Sequence, residues 1–170
     1  MSTSGAALAF GVMNGFNVLG VYTASALADR FPRKNILGFL YAGRGLAYLV
    51  LLTVPLVAPS HWAIWAFAIV VGFSWIATAP LTTTLAADVY GIKFIGTISG
   101  LMFLGHQIGA SISIQFAGIL RDVTGSYTLP FAIVGSLLLI ASIIAFSVKE
   151  KQYSSKYQEL RPATAPAGGD

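Results

Sequence analysis

The chain has 170 residues, of which 56% are hydrophobic and only 9% are charged, whereas about 25% of the residues of an ordinary soluble domain are charged. So few charges cannot cover a water-soluble domain of this size, and the lack of cysteine excludes a disulfide framework, a thiolate metal site and a cysteine nucleophile. The formal net charge of +4 does not indicate nucleic-acid binding, because its distribution follows a membrane topology.

Long apolar segments alternate with short charged ones. Residues 45–87, 94–120 and 123–148 contain no Asp, Glu, Lys or Arg, and about 20 mostly apolar residues suffice to cross a bilayer as a helix. The pattern predicts an all-α polytopic membrane bundle with five transmembrane helices, over residues 6–28, 36–57, 62–86, 94–120 and 129–148. Residues 1–148 would then form one transmembrane unit. Residues 149–170 are polar and close with Pro, Ala and Gly, which predicts a disordered cytoplasmic tail.

The distribution of basic residues predicts the orientation. With five spans, the loops at 29–34 and 87–93 and the tail lie on one side of the membrane and hold eight basic residues, against Arg121 alone on the other. Cytoplasmic loops are enriched in Lys and Arg. We therefore expect the N-terminus outside and the C-terminus in the cytoplasm, in the inner or plasma membrane of the cell.

Three motifs resemble one transporter family. The sequence LADRFPRK at 27–34 resembles the Gly-x-Leu-Ala-Asp-Arg-x-Gly-Arg-Arg loop of the major facilitator superfamily, with Ser25 and Pro32 in place of its two glycines. The sequences GHQIG at 105–109 and GILRDVTGSY at 118–127 are similar to the eleventh helix and following loop of bacterial facilitators related to monocarboxylate transporters. The sequence YAGRG at 41–45 is also common in those relatives.

The resemblance implies a position within a larger fold. It places residues 6–148 at helices eight to twelve of a twelve-helix facilitator, which agrees with the orientation derived from the basic residues. We therefore expect an incomplete chain whose partner is a missing N-terminal half or another subunit. The implied function is secondary transport by alternating access of a small organic solute, a monocarboxylate-type anion in these relatives.

The first charged loop is a candidate conformational switch, formed by Asp29, Arg30, Arg33 and Lys34. Any cytoplasmic loop is basic, so the charges alone have a simple topological explanation. The resemblance implies more: Asp29 would accept hydrogen bonds from a helix N-terminus of the other half, and the arginines would pair across the two halves.

Arg44 is the one charge placed well inside a predicted span. It could extend its side chain to the inner surface, because long basic side chains bury their stems and keep the head in water. It could instead pair with a polar group or bind a substrate carboxylate.

Candidate solute-binding positions occur on the first and third spans. Asn14 and Asn17 lie three residues apart on one helix face, where they either bridge helices or line a pathway. Ser74, Thr78 and Thr82 step by four along the third span. Pro80 removes one backbone hydrogen bond there and predicts a bend.

The fourth span carries the most informative polar stripe. Ser99, His106 and Ser113 are seven residues apart, and so lie within about 20° of one another on a helix; Gln107 completes the candidate set. His106 could bridge helices, or it could titrate and carry a proton together with a substrate anion.

Glycine patterns predict close helix packing. Gly11 and Gly15 form one small-residue face, and the fourth span carries two more, at Gly96 and Gly100 and at Gly105 and Gly109.

The sequence predicts a transporter and no enzyme, metal site or cofactor. Two rival functions stay open: a truncated, non-transporting remnant that only contacts other helices, and an unrelated five-helix membrane enzyme. The enzyme requires a nucleophile and base, or a metal cluster, at one membrane depth, and the sequence offers neither.

Overall fold

A computed structural model describes residues 3–57 and 62–158 of the chain. In these ranges every regular element is a helix, as the sequence predicts. The helices are α1 (Thr3–Arg30), α2 (Arg33–Val57), α3 (Trp62–Trp75), α4 (Thr78–Tyr90), α5 (Ile95–Thr124), α6 (Thr128–Ser147), α7 (Glu150–Tyr153) and α8 (Ser155–Gln158).

The prediction of five membrane-spanning segments is confirmed. Five helical segments are long and apolar enough to cross a membrane, and each overlaps one predicted span. They are Ser4–Arg30, Arg33–Thr53, Trp62–Tyr90, Ile95–Thr124 and Thr128–Tyr153. The chain is therefore an integral membrane protein with an all-helical transmembrane bundle.

The third span is interrupted, and it comprises α3 and α4. Pro80 has no amide hydrogen to donate to the carbonyl of Ile76, four residues earlier. The amide of Ala79 donates to that carbonyl instead, at 3.0 Å, which is the tighter three-residue spacing of a turn. The helix is therefore interrupted by a short turn before Pro80, in which Ala77 keeps helical dihedrals (φ −56°, ψ −25°); the bend stays a prediction. We call residues Trp75–Thr78 the helix break.

Two helix pairs form the centre of the bundle: α1 packs on α3, and α2 packs on α6, while α2 also contacts α3. Glycines allow the closest approach. A Cβ on Gly45 would lie 2.9 Å from the carbonyl oxygen of Gly135, and a Cβ on Gly20 or Gly72 would overlap the backbone of the facing helix. The core contains Ala24, Ala28, Leu37, Leu40, Ala77, Leu81 and Ala145.

The glycine faces predicted from the sequence are not the ones that pack. A Cβ placed on Gly11, Gly15, Gly96, Gly100, Gly105 or Gly109 would meet no other atom of the described chain within 4 Å. A small residue permits close approach only where a partner helix lies on that side. The described partner of α1 lies on the side of Gly20, and α5 exposes its glycines.

Helix α5 lies at the edge of the bundle, against α4 and α6. The structure describes all 30 of its residues, and none of them is buried. The other long helices each contribute buried residues to the bundle.

The segment after α6 differs from the predicted disordered tail. Residues 150–158 form α7 and α8 and dock on the end of the bundle, where Glu150 and Ser154 are fully buried. Docking is favoured because buried backbone amides need acceptors, and the Glu150 carboxylate supplies two. Residues 159–170 of the predicted tail lie outside the described residues.

Candidate functional site: an interrupted helix at the centre of the spans

Three spans place polar groups at the same depth. Asn17, Arg44 and the helix break each lie near the middle of their own span. In a bilayer this depth has no water to satisfy the exposed backbone groups of an interrupted helix. The break therefore needs hydrogen-bond partners from neighbouring helices.

Arg44 of α2 supplies donors to the carbonyl side of the break. Its Nη2 donates to the carbonyl of Ser74 and, at 3.0 Å, to the carbonyl of Trp75. Its Nε donates to the Ser74 hydroxyl at 3.3 Å. The guanidinium carbon also lies 5.7 Å from the ring centroid of Trp75 and 5.9 Å from that of Tyr41, within the range of a cation–π contact.

These contacts decide between the two interpretations of Arg44. The side chain does not extend to the inner surface, because its donors reach the end of α3 at mid-span. The last carbonyls of a helix carry a partial negative charge, so the guanidinium both fills their hydrogen-bonding capacity and balances their charge. In this conformation those donors are not free for a substrate carboxylate.

Asn17 of α1 serves the amide side of the break. Its side chain is only 5% exposed, and its Oδ1 accepts a hydrogen bond of 3.0 Å from the backbone amide of Ile76. Asn14, one turn earlier, is exposed, and its Nδ2 donates to Phe10 in the same helix at 2.8 Å. The two asparagines thus have different roles, because only Asn17 faces α3.

The hydroxyls of the third span are used by the backbone. Ser74 is buried and donates to the carbonyl of Val70 at 3.0 Å, while Thr78 donates to that of Trp75 at 3.3 Å. Thr82 donates to the carbonyl of Thr78 at 2.6 Å. The helix break therefore brings together four of the sequence-predicted candidates, Asn17, Arg44, Ser74 and Thr78.

The polar stripe of α5 lies apart from the break. His106 and Gln107 are exposed, and the His106 ring centroid is 6.3 Å from that of Phe103 in the same helix. Ser113 donates to its own backbone at Ala110. The Ser99 hydroxyl is shielded from solvent and has no hydrogen-bond partner among the described residues.

A second group of polar contacts, which we call the ionic cluster, lies at the end of the bundle where α1 ends and α2 begins. Arg33 pairs with Asp88 at the end of α4. The Glu150 carboxylate accepts the backbone amides of Arg33 at 2.9 Å and Lys34 at 2.8 Å, so it stabilises the positive end of α2. Ser154 donates to Asp88 at 3.3 Å.

Two lysines complete the ionic cluster. Lys34 donates to the carbonyl of Phe146 at 3.0 Å, and Lys156 donates to the carbonyl of Ala28 at 2.7 Å. The cluster therefore ties α1, α2, α4 and the C-terminal segment together.

The four predicted switch residues separate into two pairs. Arg33 and Lys34 belong to the ionic cluster, whereas Asp29 and Arg30 are exposed and have no ion pair within the described part of the chain. Sequence reasoning missed Asp88, Glu150 and Lys156. Asp88 is the acidic residue that ends the longest charge-free stretch, which is the one sequence signal that could have identified it.

The described residues contain no group of three or more His, Asp or Glu that could hold a metal ion. The geometry offers an interrupted helix, whose exposed backbone groups receive a charge and hydrogen bonds at mid-span. Apart from it, α5 presents an exposed polar face at His106 and Gln107.

Comparison with known proteins identifies what this arrangement resembles. The family model of the Major Facilitator Superfamily matches residues 1–167. Monocarboxylate transporter 12-B of Danio rerio is 26% identical over 155 residues, which cover 91% of this chain and 32% of that protein. The uncharacterized MFS-type transporter YcxA of Bacillus subtilis is 27% identical over 154 residues, or 87% of this chain and 37% of that protein.

A fungal relative gives higher identity over a shorter match. MFS transporter asaE of Aspergillus flavus is 32% identical over 129 residues, which cover 75% of this chain and 28% of that protein. The chain thus spans about a third of the length of the curated relatives it matches. No solved structure matches the chain significantly.

Proposed function

We propose that this chain, which belongs to the Major Facilitator Superfamily, forms one part of a secondary transporter that moves a small organic anion by alternating access. The family is one of membrane transporters, not of enzymes. The observation that carries the mechanism is the helix break, because discontinuous helices at mid-membrane are a recurring feature of transporters that work by alternating access.

The substrate class rests on the relatives and on the free polar groups. Several similar proteins are named as monocarboxylate transporters, among them that of Danio rerio. Arg44, Asn17 and Ser74 are engaged by the helix break, so we assign solute contact to groups that remain exposed, chiefly His106 and Gln107 of α5. A protonated imidazole would attract a carboxylate and so couple a proton to the anion.

A solute path also needs an opposing wall. Helix α5 buries none of its residues, and the chain covers about a third of its relatives. We propose that a facing half covers α5, supplied by the same polypeptide or by another subunit. Asp29 and Arg30, exposed at the end of α1, would pair with that half in one state and separate in the other.

The proposed orientation is N-terminus outside and C-terminus in the cytoplasm of the cell or inner membrane, on the eight-to-one distribution of basic residues. The chain has no native cysteine, so Ser126→Cys and Ser155→Cys give single exposed labelling sites. In intact cells an impermeant thiol reagent is expected to label the Ser126 variant alone, and permeabilised cells control for reactivity. Labelling of the Ser155 variant alone would show that the orientation is the opposite of the proposed one.

The function is tested by counterflow. The native assembly is purified from source membranes with an antibody to residues 159–170 and reconstituted beside the isolated 170-residue chain. We expect the assembly, but not the isolated chain, to exchange labelled lactate, pyruvate or acetate saturably, in preference to neutral sugars. In the assembly, His106→Gln is expected to remove the stimulation of uptake by an inward proton gradient.

Each other outcome rejects a stated part of the proposal. Preference for a neutral solute would reject the anion, and saturable exchange by the isolated chain would reject the facing half. An unchanged proton response in the His106 variant would reject proton coupling through this residue. Failure of the assembly to exchange any solute would favour the non-transporting remnant.

A further inference from the structure

We propose that Arg44 is the built-in counter-cation of the interrupted third span, and that Arg44 and Asn17 together fix the helix break as a permanent pivot between α3 and α4. The contacts of Arg44 and Asn17 with the helix break belong to the folded chain alone. The motion of α4 about the break during solute movement rests on the transport function proposed above.

The C-terminal carbonyls of α3 lie at mid-span, and the negative end of a helix dipole attracts a cation. In interrupted helices of other transporters such carbonyl ends coordinate metal cations or protons. Here the guanidinium of Arg44 donates to two of these carbonyls and to the Ser74 hydroxyl, so the position of a bound cation is filled by the chain itself.

The opposite side of the break presents a backbone amide. The amide of Ile76 would be an orphan donor in hydrocarbon, and the buried Asn17 accepts its hydrogen bond at 3.0 Å. Donors come from α2 and an acceptor comes from α1, so each polar side of the break has a hydrogen-bond partner on a neighbouring helix. These contacts lower the cost of the exposed backbone groups in lipid.

The two helices that meet at the break differ in how firmly they are held. α3 is held closely to α1, because Gly72 sits against the backbone of Met13. α4 begins at the break and ends at Asp88, in the ionic cluster. Release of the ionic cluster would leave α4 attached through the break, the core contact of Leu81 and its packing against α1, α2 and α5. Motion of α4 would then turn about residues 75–78.

The test is a distance measurement across the break in the purified full chain in lipid nanodiscs. Spin labels are attached at Ala66→Cys and Thr84→Cys, two exposed positions that would be about 27 Å apart along an uninterrupted helix. The native background is expected to give one narrow distribution that is the same in sodium, potassium and choline chloride. Arg121→Met, an arginine variant outside the break, is the matched control and is expected to leave it unchanged.

Arg44→Met removes the counter-cation at similar side-chain length. We expect the distance distribution to shift or broaden by about 5 Å, the rise of one helical turn. Arg44→Lys keeps the charge, but its three donors sit on one nitrogen and do not reproduce the planar fork of the guanidinium, so a smaller change is expected. If the methionine variant does not accumulate as folded protein, the distance distribution of the lysine variant is compared with the native one instead.

Two results overturn the proposal. One is a native-like distribution in the folded methionine variant, or in the lysine variant where only that one folds. The other is a sodium-specific change in the native protein. Neither readout requires solute flux, so a failure of the proposed transport function leaves the result interpretable. Loss of the pivot would likewise leave the transport proposal standing.

Discussion

The polar side chains at the centre of the bundle serve the backbone before they can serve a solute. Ser74 and Thr82 donate to carbonyls four residues earlier, and Asn17 accepts from the backbone of another helix. In hydrocarbon an unpaired amide or hydroxyl is costly, so a polar residue in a span is first a hydrogen-bonding partner. A spacing of three or four residues in the sequence therefore does not by itself distinguish a solute ligand from a structural contact.

Asn17→Leu tests whether the hydrogen bond of Asn17 to the helix break stabilises the fold. Leucine has a similar shape but no acceptor, so the amide of Ile76 becomes a buried unsatisfied donor. We expect the free energy of unfolding to fall by about 1–3 kcal/mol, measured by reversible unfolding in detergent micelles with tryptophan fluorescence.

Asn14→Leu is the matched control, because Asn14 is exposed and bonds only within its own helix. It is expected to change the same free energy by less than about 0.5 kcal/mol. Equal losses in the two variants would show that the contact between Asn17 and Ile76 contributes nothing specific.

At the scale of the helices, the sequence predicts the spans and the interruption, which depend on local composition. It does not predict which helices pack together. The five spans follow from apolar length, and the interruption follows from the missing amide hydrogen of Pro80. The partner of each helix does not follow from the sequence. The pattern predicts a packing role for Gly11 and Gly15, but it is Gly20 that lies against the facing helix. Whether a glycine packs depends on which helix lies opposite, and no local pattern contains that information.

The C-terminal segment illustrates the same limit. Residues 149–158 are polar, which is typical of disorder, yet they dock because Glu150 meets the amide end of α2. That contact joins residues more than 110 positions apart in the chain. Similarly, the sequence identifies the polar residues of the break one by one, namely Asn17, Arg44, Ser74 and Thr78. It does not predict that they lie together.

Glu150→Gln tests the docking of this segment. Glutamine keeps one acceptor oxygen but loses the charge that favours the positive end of α2. A loss of about 1–2 kcal/mol would raise the open population of the segment about 5- to 30-fold. Trypsin cleavage at Lys149, Lys151 or Lys156 is expected to accelerate by that factor in the purified chain.

Asp122→Asn is the control for this experiment. Its carboxylate is about 75% exposed and lies near Arg121 at the end of α5, so it also removes one acidic charge but no buried contact. If the two variants were cleaved at the same rate as the native chain, the Glu150 carboxylate would not hold the segment in place.

At the scale of the whole molecule, the proposal of a facing half rests on α5. It is a 30-residue helix with no buried residue and a polar stripe at Ser99, His106 and Ser113. Such a face is costly against lipid and is suited to a water-filled path. The account therefore claims that, in the native assembly, one side of α5 faces water and the other faces apolar surroundings.

Cysteine accessibility on α5 measures this claim directly. In the reconstituted native assembly, single cysteines replace His106 or Ser113, the exposed members of the stripe, and Leu101 or Ile108 on the opposite side of α5. A charged, impermeant methanethiosulfonate reacts with thiolates, which form in water and not in an apolar setting. We expect the two stripe variants to be modified at least about tenfold faster than the Leu101 and Ile108 variants. A transported carboxylate is expected to protect the stripe variants. Equal rates on the two faces, or faster modification at Leu101 and Ile108, would contradict it.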